Sequence, residues 1–123
     1  MVPNEIREAL SDMSQPDREL HFAAIRYVMR EATYGRLYPR RGVRCVSRQP
    51  IFELRWEISG RLWRLYEGEP VFEPNLLIAL RFHEKDVSTN DDELIRSRQD
   101  DEIGIAEDRY GRGLPSRWGR FAG

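Results

Sequence analysis

FELRWEISGRLWRLY, Phe52 to Tyr66, is the stretch that decides the fold. Two alternating runs flank Ser59-Gly60, a pair that suits a two-residue hairpin turn. A loop of those two residues sets Ile58 opposite Arg61, Trp56 opposite Trp63, Arg55 opposite Arg64 and Glu53 opposite Tyr66. Opposed residues point to the same side of a sheet. One face therefore carries Leu54, Trp56, Trp63 and Leu65, a core surface, and the other carries Glu53, Arg55, Glu57, Arg64 and Tyr66. Two arginines directly opposite each other repel, so their placement asks either for an anionic ligand or for flanking carboxylates. Glu53 and Glu57 could supply the latter on a solvated face.

Outward from the hairpin, apolar spacing and breakers predict the remaining elements. Asn4 to Met13 reads as a short helix, with Asn4 as cap and Ile6, Leu10 and Met13 on one face. Ser14-Gln15-Pro16 interrupts it, and a second helix runs from about Pro16 to Thr33, ending before Gly35. These two are expected to form a helical hairpin. Residues 36–50 hold five Arg and two Pro and read as a long connection with a short strand at Val43 to Val46. After the β-hairpin, Leu76 to His83 is an apolar run expected to be a central strand. Strict alternation would put Leu76, Ile78, Leu80 and Phe82 on one face and Leu77, Ala79, Arg81 and His83 on the other. Thr89 to Glu93 starts a last helix, expected to reach about Tyr110 with an interruption near Gly104. The fold expected is α+β, a small twisted antiparallel sheet packed by an N-terminal helical hairpin and a C-terminal helix. Residues 1–110 form the domain, and 111–123 a flexible basic tail.

With 123 residues and a net charge of −1, one core suffices, and a domain of this size buries roughly two thirds of its chain surface. No stretch has the length and apolarity of a membrane span or a secretory leader, which points to the cytoplasm. Cys45 is alone and cannot form an internal disulfide; a buried or half-buried thiol is expected. Charge is segregated: residues 30–64 hold nine Arg against three acids, and residues 65–110 hold thirteen acids against five bases. Of 20 basic residues 19 are Arg, whose planar fork suits phosphate. The near-neutral total argues against a uniformly basic nucleic-acid surface. No metal is expected, because the two histidines are far apart in sequence and no ligand spacing is present; the acidic clusters at 91–93 and 100–102 are explained by helix capping and solvation.

The order of these elements resembles the RelE/HigB-type toxins of bacterial type II toxin–antitoxin systems, in particular the phage-derived HigB-type branch. The resemblance rests on Glu53-Leu54-Arg55, Arg64-Leu65-Tyr66, Phe82 to Lys85, and Glu102-Ile103 with Ala106 and Arg109, and it covers about residues 5–110. It implies a RelE-like fold and an mRNA endonuclease that works on ribosome-bound or free message without a cofactor. The partners implied are the ribosome with its mRNA and an inhibiting antitoxin, often of helix-turn-helix type.

Cleavage of this kind, in which a 2′-hydroxyl attacks its own phosphate, needs a base, an acid and positive charge on the phosphate. Arg55 and Arg64 would supply the charge, since arginine does not deprotonate near neutral pH. His83 or Lys85 would move protons, with Tyr66 as another candidate. Arg40, Arg41, Arg44, Tyr66 and Arg81 would extend the substrate-binding surface. The chain departs from the family pattern by lacking an obvious first strand, by Glu84 where a lysine is usual, and by the acidic insertion Asp86 to Glu102. These departures define a second reading, a toxin-like protein that has lost cleavage and acts by binding its antitoxin and regulating an operator.

Overall fold

The computed structural model describes residues 2–33, 43–58, 60–72, 76–85 and 89–116. In chain order these form α1 (Val2–Ala9), α2 (Gln15–Thr33), β1 (Val43–Cys45), β2 (Ile51–Ile58), β3 (Arg61–Gly68), β4 (Ile78–Glu84) and α3 (Asp92–Gly113). The fold is α+β: the strands make one antiparallel sheet in sequence order, β1-β2-β3-β4. α1 and α2 pack on one face, against Leu54, Trp63, Leu65 and Phe82. The other face is covered by α3, whose Ala106 and Tyr110 meet Ile51, Tyr66 and Leu80.

The hairpin register is the one the turn dictates: Ile58 faces Arg61, Trp56 faces Trp63, Arg55 faces Arg64 and Glu53 faces Tyr66. Gly60 sits at φ 79°, a left-handed conformation that favours glycine. On the apolar face Trp63 stacks on Phe82, ring centroids 5.1 Å apart, and His21 of α2 meets Trp63 edge-on. α2 begins after Ser14, whose carbonyl accepts from the Arg18 N–H at 2.9 Å. α1 starts earlier than expected, at Val2, because Pro3 is tolerated in a first turn whose N–H groups have no helical partner.

Two expectations about β4 are corrected. It is an edge strand, with β2 and β3 at the centre; its apolar run reflects cover by helices on both faces. Its faces also do not alternate strictly. Tyr66 pairs with Arg81 but Glu67 pairs with Ala79, so Leu80 is the extra residue of a β-bulge. Ala79 and Phe82 consequently join the core under α1 and α2, while Ile78 and Leu80 join the core under α3.

α3 is continuous through Gly104 and reaches Gly113. Asp91 caps it, accepting from the N–H groups of Glu93 and Leu94. Tyr110 anchors its far end by lying on Gly68, where an added Cβ would come within 2.9 Å of the ring. Cys45 is exposed, contrary to expectation, since its strand is the short opposite edge of the sheet. No helix among the described residues is long and apolar enough to cross a membrane.

Candidate active site

Strand register aligns the polar candidates in two cross-strand rows beneath α3. Arg55 faces Arg64, and Arg64 faces His83. In the neighbouring row Glu53 faces Tyr66, Tyr66 faces Arg81, and on the other side Glu53 faces Arg44. With strands spaced about 4.8 Å apart, Arg55 and His83 stand about 10 Å from each other across the sheet. Arg40, Arg41 and the 117–123 part of the tail lie outside the described residues.

Glu53 is the centre of this arrangement. Its side chain is fully buried, with Oε1 3.8 Å from Arg55 Nε and 3.9 Å from Arg64 Nε. Those are charge contacts, beyond hydrogen-bond distance. Its Oε2 accepts from Gln99 Nε2 of α3 at 2.8 Å. Flanking carboxylate is thus the answer the fold gives to two opposed arginines, but on a covered face instead of a solvated one. Arg64 is nearly buried and donates from Nη1 to the Trp63 carbonyl at 2.9 Å. Arg55 keeps 44% of its side chain exposed, which makes it the arginine of the pair open to a ligand.

His83 and Tyr66 form the second half. Their rings stack with centroids 5.4 Å apart, and His83 Nε2 lies 3.1 Å from the Tyr66 hydroxyl. Burial holds the His83 pKa below its ordinary value; Glu102 opposes this, while Arg81 and Arg64 reinforce it. The ring is therefore neutral at neutral pH. Its Nδ1 faces the Glu84 carbonyl at 3.1 Å. A carbonyl only accepts, so we assign the proton to Nδ1 and the lone pair to Nε2, which faces the Tyr66 hydroxyl in competition with the Glu53 carboxylate. Burial, and next the Glu53 charge, push the Tyr66 pKa up, so the phenol keeps its proton.

Arg81 and Glu84 are committed elsewhere. Arg81 donates to Glu102 of α3 at 2.5 Å and to Glu5 of α1; both partners raise its pKa, Glu102 most. Glu84 points to the α1 and α2 side, opposite Trp63, where it takes a two-pronged contact from Arg61 at 2.8 and 2.7 Å. Lys85, half-buried, lines a cleft of about 210 Å³ together with His83, Glu84, Ile95, Arg98, Gln99, Asp101 and Glu102, so that two cations there are set among three carboxylates. This is below the roughly 300–1,000 Å³ of ordinary ligand sites and has room only for a small group.

Of the α3 contributors, Arg98 and Gln99 were not singled out from sequence, nor was Glu5 of α1, and Glu102 entered only through the family resemblance and the acidic insertion. Their signal was spacing: Ile95, Gln99, Glu102, Ala106 and Tyr110 recur at three and four residues, the stripe of a helix that faces a sheet. Among the described residues, no group of three or more His, Cys, Asp or Glu could hold a metal ion. No family model, curated protein or solved structure matches the chain at a significant level.

Proposed function

We propose that this chain is a RelE/HigB-type toxin, a cytoplasmic mRNA interferase that cleaves message on the ribosome and is held in check by an antitoxin. The observation that supports this reading is the cross-strand row Arg55, Arg64, His83, with Tyr66 stacked on His83 and Lys85 lining the same cleft as His83. It groups two fixed cations with a neutral imidazole, the set that phosphodiester transfer requires. The 2′-hydroxyl oxygen attacks phosphorus, its proton passes to His83, and the P–O5′ bond breaks. Lys85 or Tyr66 returns a proton to the leaving oxygen. Arg55 and Arg64 stabilise the charge that builds on the phosphate, and such a contact is typically worth about a hundredfold in rate. Because Glu53 already neutralises both arginines, an incoming phosphate must compete with a buried carboxylate.

A second reading has its own observation. Glu53 occupies Arg55 and Arg64, and Glu84 is tied to Arg61, as in a toxin-like protein that only binds its antitoxin. Primer extension on a reporter mRNA in a translating extract separates the two. Cuts that require translation and disappear in Arg55→Ala, whose side chain is exposed enough to spare the fold, support the interferase. Absence of cuts at every protein concentration supports the binding protein.

A further inference from the structure

On the sheet face opposite the arginine row, α1 and α2 do not close on each other. α1 lies against β4 and α2 against β2. Between them runs an apolar groove of about 410 Å³, floored by Leu65 and Ala79 and walled by Ile6 from α1 and Phe22, Ile25 and Met29 from α2. Past Arg7 and Phe22 it continues into a second hollow toward Leu10 and Arg18.

Three properties select one occupant. The α2 wall repeats at i, i+3 and i+7, the pattern that accepts a facing helical ridge. From Arg18 to Met29 it extends about 16 Å, the length of three helical turns. The rim is basic: Arg7 and Arg26 are exposed and Arg18 half-buried, and Arg26 falls one helical turn from both Phe22 and Met29. Glu19 is the acid beside them. We infer that this groove docks an amphipathic helix of about three turns with acidic flanks, carried by a partner protein. The inference depends on the toxin reading only for which partner carries that helix. Because the groove and the arginine row lie on opposite faces of the sheet, a helix seated here leaves Arg55 uncovered.

The test is fluorescence anisotropy on the full chain with two labelled helical peptides. Both carry leucines at i, i+3 and i+7; one has glutamate flanks and its twin has lysine flanks. Wild type is expected to bind the acidic peptide at least about tenfold more tightly than its twin. The exposed charge reversal Arg7→Glu with Arg26→Glu is expected to invert that order. Tyr27→Glu, on the outer side of α2 and 63% exposed in the native residue, should leave it unchanged. Equal affinity for the two peptides, no binding of either, an unchanged preference in the charge-reversed protein, or uptake of a fatty-acid probe in their place would overturn the inference. Messenger cleavage is scored separately, so loss of the interferase reading and loss of the groove are distinguishable.

Discussion

Arg64 and Glu53 form a buried charge contact across the hairpin, Nε to Oε1 at 3.9 Å, with side chains 9% and 0% exposed. Removing one member of a buried pair leaves the other charge uncompensated, which typically costs about 3–5 kcal/mol. Glu53→Gln is therefore expected to lower the unfolding free energy by about 3 kcal/mol, read from urea denaturation. It should also strengthen the salt-dependent binding of a short RNA, because Arg55 and Arg64 lose their internal anion. A variant as stable as wild type with unchanged RNA affinity would show that Glu53 does not neutralise the pair.

Arg81 ties three elements together through Glu5 and Glu102. Its planar fork serves carboxylates on opposite sides of β4, a geometry an ammonium cannot copy. Arg81→Lys is expected to destabilise the protein by about 2 kcal/mol and to speed amide exchange in α1 before the rest of the fold. Uniform exchange across all elements would argue against a local tie.

Glu67 is buried, and its pKa is pushed up from 4.5 to about 9, by burial first and then by the hydrogen bond and charge of Glu69. The folded chain keeps a proton that the unfolded chain releases, so this group's stabilisation is complete below about 4.5 and is lost as pH rises toward 9. Glu67→Gln mimics the protonated acid. Denaturation across that window should show a flatter pH dependence than wild type, with the variant the more stable at its alkaline end.

His83 has the opposite sign. Its folded pKa lies below the ordinary 6.5, so the unfolded chain binds more protons in between, and stability falls as pH drops from 6.5 toward the folded value. An NMR titration of the His83 ring should have its midpoint below 6.5, and the acid limb of any cleavage profile should follow it and vanish in His83→Gln. A midpoint at or above the ordinary value would remove the neutral imidazole from the mechanism.

The hairpin was legible because a two-residue turn fixes the register of every residue behind it, which in turn placed Arg55 beside Arg64. β4 was not, for two physical reasons. A bulge such as that at Leu80 leaves no mark in a pattern of alternating residues, and an apolar run cannot distinguish flanking strands from flanking helices. The packing of α3 on the sheet was expected, but its contribution to the site was hidden because its inward positions there, Gln99 and Glu102, are polar. Their partners on the sheet, Glu53 and Arg81, are polar too, so neither half looks like a core until they are joined.

Arg109 donates to Glu5 at 2.9 Å and, from the same nitrogen, to the Leu80 carbonyl at 2.8 Å; Glu5 also reaches the Phe82 N–H. The outer rim of β4 is thus sealed by side chains 104 positions apart. During synthesis the chain emerges with this rim bare, and it remains open to strand addition until Arg109 has left the exit tunnel. How soon α3 folds back over β4 therefore decides whether the nascent sheet stays solitary or recruits a neighbour.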